Sequence, residues 1–329
     1  MAKNMNENFV FFLPEEDYYR IPYYELNELC NVEIVDALID SKNKLLRMFY
    51  LFCFSTKINA LITIPGKKIW FKTYYKNHNK IKPNYFVFFD AQLRKCTCAY
   101  RNYLKKTYPD CKIVLFLTDL IRSFKCVDIC TIKKFADLIL TYDKNDALNY
   151  DLHYYPDVYS KLPADILDSE YKSADLLFAG YKKNRGTILE QLAETIHGTK
   201  LVADFYIPDY KENIQANHFL LKTMRIPYIE YLKKLQRTNC VLEVQQKGAT
   251  GYTLRTLEAI TYNKKLLTNN VSIKDAPFYN DKYIQIFNEI ECIDFSWVNQ
   301  VENVNYQNTE QYKPRKLLEY IREYFALKP

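Results

Sequence analysis

Short apolar runs alternate with stretches of helical length through most of this 329-residue chain. Tyr85–Phe89, Lys112–Leu117 and Leu138–Thr141 have the length and composition of buried strands. Asp143 follows the last of them as a candidate N-cap of the next helix. Because strands that alternate with helices form parallel sheets covered on both faces, the pattern predicts an α/β protein.

The alternation lapses once and then resumes. Tyrosines, prolines and acids fill residues 151–173, a composition typical of a linker. At roughly 100 to 200 residues per domain, the chain is expected to hold two domains. We predict Rossmann-like domains over 1–160 and 174–311 that face each other across a cleft, where such folds bind ligands. Residues 312–329 are predicted to form a C-terminal helix, a candidate to pack back on the N-terminal domain.

Scarce glycine limits the phosphate-binding loops that this chain can form. It has six glycines and neither a GxGxxG nor a GxxxxGK[ST] motif, which disfavours dinucleotide dehydrogenases and P-loop NTPases. Five of the six lie between 180 and 251, in turns after predicted strands. The backbone there is expected to approach a ligand closely.

Hydrophobic segments and cysteines indicate where the protein works. Leu45–Phe54 contains Arg47 and is about half of the roughly 20 residues that a membrane helix needs. The N-terminus lacks the apolar core of a signal peptide, and the nine cysteines lack paired CxxC spacing. We therefore expect a cytoplasmic protein without a transmembrane helix or a zinc ribbon.

Positive charge is concentrated in one stretch, Lys42–Lys82. It holds ten lysines and arginines and no acidic residue, with aromatic residues set among the lysines. Such a surface suits anionic lipid headgroups, to which each basic side chain contributes about 1 kcal/mol. A nucleic-acid surface and an ordinary solvated face are the alternatives.

A basic loop follows the predicted strand Asp175–Ala179. It runs from Gly180 to Gly186, carries Lys183 and Arg185, and leads into a helix. Basic side chains at a helix N-terminus are unfavourable unless an anion is also present. Together with backbone N–H groups, they predict a phosphate site, with a solvated turn as the alternative.

A second candidate site follows the predicted strand Cys240–Val244. A turn through Gly251 leads to a helix that Thr253 can cap, and Arg255 and Glu258 then share one helix face. A carboxylate there can accept hydrogen bonds from ribose hydroxyls, and the arginine can bind a phosphate. A local ion pair is the alternative.

Several segments together resemble bacterial glycosyltransferases of capsular and lipopolysaccharide synthesis, which have the GT-B fold. They are Phe178-x-Gly180-x-x-Lys183-x-Arg185, Ile226–Leu232, Gly251-x-Thr-Leu-Arg-Thr-Leu-Glu258, Lys264–Asn270 and, in the first half, Leu140–Ala147. The resemblance implies a C-terminal domain that binds a nucleotide diphosphate sugar and an N-terminal domain that binds the acceptor.

The resemblance also implies a set of donor-binding residues. They are Gly180, Lys183, Arg185, Tyr228, Gln246, Gly251, Thr253, Arg255 and Glu258. The cations would neutralise the diphosphate as it leaves, Glu258 would hold the ribose, and Tyr228 and Gln246 would contact the base. The chain has no Asp-x-Asp triplet, so neither a metal nor a cofactor beyond the nucleotide sugar co-substrate is expected.

The catalytic base is open because the sequence departs from the family at one position. Thr250 stands eight residues before Glu258, where many retaining enzymes of this fold have a glutamate. Inverting transfer needs a base from the N-terminal domain. Asp119 is favoured among the carboxylates that follow its strands, but each of them can instead cap a helix. The other candidates are Glu15, Asp17 and Asp90.

These expectations combine into one hypothesis, with two alternatives. The chain is expected to be a metal-independent, hexosyltransferase-type enzyme that moves a sugar from a nucleotide sugar to a lipid-linked saccharide during surface polysaccharide or lipopolysaccharide assembly. It would lie on the inner face of the cytoplasmic membrane through Lys42–Lys82, without binding nucleic acid. A non-catalytic accessory subunit with this fold and a basic nucleic-acid-binding protein are the rivals.

Overall fold

The computed structural model describes most of the chain as two compact units. The described residues are 7–36, 39, 43–55, 58, 62, 66–77, 81–124, 128–209 and 221–327. The first unit comprises Met1–Arg20 and Glu25–Tyr155, and the second comprises Ile21–Tyr24 and Pro156–Pro329.

The first unit is built on a parallel sheet of six strands in the order β2-β1-β3-β4-β5-β6. The strands are β1 (Asn8–Leu13), β2 (Val32–Asp36), β3 (Pro83–Phe89), β4 (Lys112–Leu117), β5 (Leu138–Thr141) and β6 (His153–Tyr154). Most side chains of β1, β3 and β4 are buried on both faces, which is why their sequences are apolar without alternation.

Helices connect these strands. They are α1 (Asp17–Arg20), α2 (Lys44–Cys53), α3 (Phe71–Tyr74), α4 (Cys98–Thr107), α5 (Ile129–Phe135) and α6 (Lys144–Tyr150). Side-chain caps define several of their starts. The carboxylate of Asp143 accepts a hydrogen bond from the backbone of Asp146 at 3.0 Å, so the predicted N-cap is confirmed.

The second unit repeats this design in the strand order β12-β11-β10-β7-β8-β9. Its strands are β7 (Ala174–Ala179), β8 (Ala203–Tyr206), β9 (Leu221–Lys222), β10 (Thr238–Glu243), β11 (Lys265–Thr268) and β12 (Ile284–Ile286), all in parallel pairs. Its helices are α7 (Gly186–His197), α8 (Tyr228–Gln236), α9 (Leu254–Thr261), α10 (Phe295–Asn299) and α11 (Pro314–Leu327).

Short 3-10 helices complete the connections. They are Ile21–Glu28, Lys67–Trp70, Asp90–Lys95, Ile121–Ser123, Ala164–Leu167, Val271–Asp275, Ile290–Cys292 and Glu310–Tyr312. In the part of the chain that the structure describes, no helix is both long and apolar enough to cross a membrane.

The predicted fold class, α/β with two Rossmann-like domains, is confirmed by the two parallel sheets. The interpretation of 151–173 as a plain linker is wrong at its start, because His153–Tyr154 pairs with β5 as the edge strand β6. Two residues carry too little periodicity to be recognised in a sequence.

In each sheet the strand order reverses at one place, and this locates the crevice at the carboxyl ends. The reversal lies between β1 and β3 in the first sheet and between β7 and β10 in the second. Neighbouring parallel strands whose connections leave in opposite directions leave an open crevice, which is where such sheets bind ligands.

An aromatic core fills the first unit. The ring of Phe88 stacks on Phe12 with centroids 4.4 Å apart and meets Phe135 edge-on at 5.2 Å. Phe88 is fully buried. Rings on adjacent strands and on the covering helix therefore interdigitate, and removing one leaves a large cavity.

We predict that Phe88→Ala lowers the free energy of unfolding by about 3 to 5 kcal/mol because of this cavity. Urea unfolding followed by circular dichroism would measure the change. Leu148→Ala is the matched control, since Leu148 is 81% exposed, and it should shift stability by less than about 0.5 kcal/mol. Equal effects of the two substitutions would contradict this description of the core.

Candidate functional site

The loop after β7 begins the candidate site in the second unit. The N–H of Gly180 donates to the carbonyl of Tyr206 at 3.0 Å, which holds the loop against the neighbouring strand. Lys183 adopts a left-handed backbone (φ 43°), and the N–H of Arg185 donates to the carbonyl of Lys182 at 3.0 Å. These contacts form a tight turn from which α7 starts at Gly186.

Arg185 folds back across this loop instead of extending into solvent. Its Nε donates to the Tyr181 carbonyl at 3.0 Å, and its Nη1 donates to the Val244 carbonyl just after β10. The guanidinium carbon lies 5.3 Å from the centre of the Phe178 ring. Arg185 thus links the loops that follow β7 and β10, the two strands between which the sheet order reverses.

Gly180 is required by this arrangement. A Cβ at position 180 would lie 2.7 Å from Nη2 of Arg185 and 3.3 Å from the Phe178 ring. Any other residue would therefore displace the guanidinium. Gly180 was predicted to let the backbone approach a ligand, whereas the structure shows a close approach of the chain's own arginine.

An internal carboxylate occupies one backbone donor of the same loop. The N–H of Lys182 donates to Oδ1 of Asp209 at 2.5 Å, while Nζ of Lys182 lies 3.4 Å from the carboxylate of Glu190. Lys183 is exposed. The loop therefore binds a carboxylate with its backbone, as expected for a turn that presents N–H groups at a helix start.

The loop after β10 is held by Glu243, which the sequence analysis missed. Its side chain is 1% exposed and accepts hydrogen bonds from three threonine hydroxyls. Thr253 and Thr256 donate from the start of α9, the latter at 2.8 Å, and Thr268 donates from the end of β11 at 2.6 Å. The carboxylate therefore fixes the start of α9 against two strand ends. The feature of the sequence that could have indicated this role is a glutamate at the end of an otherwise apolar strand.

Thr253 and Gly251 have structural contacts at this turn. Thr253 caps α9 by accepting the N–H of Arg255 at 3.1 Å, which confirms the predicted helix start. The carbonyl of Gly251 accepts from the side-chain amides of Gln245 at 2.6 Å and Asn270 at 3.4 Å. The carbonyl of Gln246 accepts from Ala249, which closes the turn.

Glu258 lies inside a cluster of tyrosines. Its side chain is fully buried, and its two carboxylate oxygens accept the hydroxyls of Tyr228 at 2.5 Å and Tyr231 at 2.8 Å. The hydroxyl of Tyr228 is in turn 2.9 Å from that of Tyr159. Nη1 of Arg255 lies 2.7 Å from Glu258, and its guanidinium stacks on the Tyr231 ring at 4.1 Å.

This cluster exerts opposing effects on one carboxylate. Burial dominates and raises the pKa of Glu258 above its ordinary value, although the charge of Arg255 and the two tyrosine hydroxyls oppose the shift. The predicted alternative, a local ion pair between Arg255 and Glu258, is therefore present in this structure. The ribose role of Glu258 stays a prediction.

Two of the candidate bases lie together in the first unit. Asp90 follows β3, accepts the Ala91 N–H at 3.0 Å and lies 3.3 Å from the hydroxyl of Thr118. Asp119 follows the neighbouring strand β4 and accepts the Leu120 N–H at 2.9 Å. Burial, and then the negative charge of Asp119, raise the pKa of Asp90 to about 6.

The remaining carboxylates differ in their surroundings. Asp17 begins α1 after β1 and is exposed. Glu15 lies 3.6 Å from the guanidinium of Arg47. Asp146 was not among the predicted bases. It accepts the N–H of Ile121 at 2.8 Å, and burial and the nearby Asp143 and Asp119 raise its pKa. Within the described ranges, no three His, Cys, Asp or Glu side chains are grouped to hold a metal ion.

Comparison with known proteins gives distant structural similarity alone. No protein-family description matches the sequence, and no curated protein matches it. UDP-GlcNAc 2-epimerase from Methanocaldococcus jannaschii is 10% identical with a TM-score of 0.48, and the match covers 97% of this chain and 99% of that one. MurG from Acinetobacter baumannii is 8% identical with a TM-score of 0.42, over 96% and 99% of the two chains. Similarity at this level does not assign an activity.

We predict that Glu243→Ala lowers the free energy of unfolding by about 3 kcal/mol, because two buried hydroxyls and one half-buried hydroxyl lose a charged acceptor. Chemical denaturation would measure it. Glu194→Ala, at an exposed position of α7, is the control and should change stability by less than about 0.5 kcal/mol. A near-neutral result at position 243 would show that the carboxylate does not fix the start of α9.

Proposed function

We propose that this chain is a glycosyltransferase that moves a sugar from a nucleotide diphosphate sugar to a saccharide acceptor. The observation that carries the proposal is the link by Arg185 between the loops after β7 and β10, at the strand reversal of the second sheet. Three of the five segments that resemble glycosyltransferases, those within 178–185, 226–232 and 251–258, lie on or next to these loops and on α8 and α9. Crevices of this kind are the usual ligand sites of such sheets.

The donor diphosphate is proposed to bind at the loop before α7. Lys183 and Arg185 supply positive charge there, and the first turn of the 12-residue α7 supplies backbone N–H groups. Negative charge grows on the diphosphate as the sugar leaves, so cations placed beforehand lower the barrier. This replaces the metal ion of other transferases, and no cofactor beyond the co-substrate is proposed.

The nucleoside is proposed to bind beside α9. Glu258 would accept the ribose hydroxyls in place of the Tyr228 hydroxyl, and Arg255 would keep the carboxylate ionised. Tyr228 and Gln246 would then contact the base. Gly251 and Thr253 would shape the turn that the nucleotide meets.

Asp90 is proposed as the base that takes the proton of the acceptor hydroxyl. It follows β3 at the strand reversal of the first sheet, and a pKa of about 6 suits proton transfer near neutral pH. Asp119, which the sequence analysis favoured, would then tune Asp90 by its charge. Asp17, on the other side of the reversal, is the third candidate.

The finer part of the proposal concerns the substrates and the location. We propose a hexose donor and a lipid-linked acceptor in surface polysaccharide or lipopolysaccharide synthesis, with the protein held on the inner face of the cytoplasmic membrane through Lys42–Lys82.

The alternative hypothesis is a non-catalytic accessory subunit, and the two tyrosine hydroxyls that already occupy Glu258 favour it. Donor-dependent product formation by the purified chain alone would exclude that rival.

We predict that one of UDP, GDP, CMP or dTDP raises the melting temperature without added metal, since a ligand at about 100 times its Kd adds roughly 2.7 kcal/mol. Lys183→Gln should weaken that binding about tenfold because it removes one cation at the diphosphate. The exposed Lys200→Gln in the same unit is the matched control and should bind as the native chain does. Unchanged binding by Lys183→Gln would contradict the diphosphate site.

We predict an acid limb near pH 6 in kcat/KM, because Asp90 has to be deprotonated to act as a base. Asp90→Asn should lower turnover at least a hundredfold. Asp119→Asn should leave an active enzyme whose acid limb lies at lower pH, because a negative charge beside Asp90 is lost. If Asp119→Asn is inactive and Asp90→Asn is active, Asp119 is the base instead.

A further inference from the structure

Helix α2 exposes the apolar stripe that most helices bury. Tyr50 and Cys53 face the core of the first unit and are buried. The stripe at spacing i, i+3, i+4, i+7 faces outward, and its members are Leu45 (76% exposed), Met48 (66%), Phe49 (54%) and Phe52 (52%). A helix with solvent on one side normally places such a stripe against the protein. Here both sides of the helix are apolar.

The neighbouring 3-10 helix Lys67–Trp70 also exposes an apolar side chain. The Trp70 ring packs against α2, with its centroid 5.7 Å from Phe49 and 5.3 Å from Tyr50. Ile69, the residue before it, is 70% exposed. We define the α2 patch as the four stripe residues together with Ile69. Several exposed apolar side chains on one helix and the segment packed beside it mark a place of interaction.

Lysines accompany the α2 patch. Lys44 begins α2, Lys68 precedes Ile69, and Lys72 follows it on α3, all three exposed. Arg47 has acidic partners instead, Asp36 at 2.5 Å and Glu15 at 3.6 Å. Of the predicted basic stretch, residues 42, 57 and 80 lie outside the described residues.

We propose that the α2 patch inserts between the headgroups of an anionic lipid bilayer, with α2 parallel to the membrane plane and the lysines at the phosphate level. An apolar face with a lysine border matches such a surface, whereas protein–protein interfaces are depleted in lysine. A helix of 10 residues is about 15 Å long, half of the hydrocarbon thickness. The inference rests on the membrane association proposed above, and it replaces purely electrostatic attraction with insertion.

The test is co-sedimentation with vesicles of phosphatidylcholine and phosphatidylglycerol at low and at high salt. Insertion predicts that part of the binding by the native chain survives 0.5 M salt, where exposed charges are screened. The triple variant Leu45→Gln, Met48→Gln, Phe52→Gln keeps the net charge and should bind at least tenfold more weakly at both salt concentrations. Unchanged vesicle binding by this variant would overturn the proposal.

Two controls separate insertion from other causes. Leu148→Gln with Val301→Gln removes two side chains that are 81% and 84% exposed elsewhere, and it should bind vesicles as the native chain does. Phe49→Trp should add tryptophan fluorescence that brominated lipid quenches, beyond any quenching of the native Trp70 and Trp297. The fluorescence added by Leu148→Trp should not be quenched. Loss of vesicle binding by the first control, or equal quenching in both tryptophan variants, would refute the assignment to α2.

A second copy of the chain or a protein partner is the competing occupant. Light scattering of the native chain and the triple variant tests this. A native dimer that the triple variant abolishes, with no native binding to vesicles, would overturn the membrane proposal. The nucleotide-induced rise in melting temperature is independent of α2, so its loss with intact vesicle binding would refute the proposed transferase and leave the insertion standing.

Discussion

Parallel pairing between β7 and β10 is the constraint on which the candidate site depends. The pairing brings Leu176 opposite Cys240, and both strands then end at the same edge. Their connections leave toward opposite ends of the sheet, so the two loops have room for a ligand between them. Arg185 crosses that space to reach the Val244 carbonyl. The loop chemistry therefore follows from strand order, and the first sheet repeats the principle with Asp90 after β3.

Buried carboxylates organise the second unit in two different ways. Glu243 accepts neutral hydroxyls and joins the start of α9 to two strands. Glu258, one turn beyond the start of α9, pairs with an arginine and accepts two tyrosine hydroxyls. The first arrangement positions the helix, and the second holds an ion pair inside a cluster of tyrosines. Removing one partner of a buried pair costs about 3 to 5 kcal/mol, so Arg255 has a structural role besides any role in binding.

The sequence was sufficient for the longer strands of both sheets but not for the partners of the site residues. Runs such as Lys112–Leu117 are apolar throughout because both faces are buried, and that pattern is local. The two-residue strands β6 and β9 have no such pattern. The hydroxyls that reach Glu258 come from residues 27 and 30 positions away, which no local spacing reveals. The apolar stripe of α2 was visible as a helix, but only packing shows that the stripe faces outward.

The hydrogen bond between the Lys182 N–H and Asp209 has a thermodynamic consequence for whatever enters the loop before α7. The chain supplies its own anion, so a group that binds the Lys182 N–H has to displace a tethered competitor whose effective concentration is high. The net binding free energy is then the difference between the interaction of the loop with the incoming anion and its interaction with Asp209. A singly charged group gains little by this exchange, whereas a group with several negative oxygens gains more contacts than it replaces. If the loop binds a diphosphate as proposed, the internal carboxylate would raise its discrimination between anions while lowering its affinity for them.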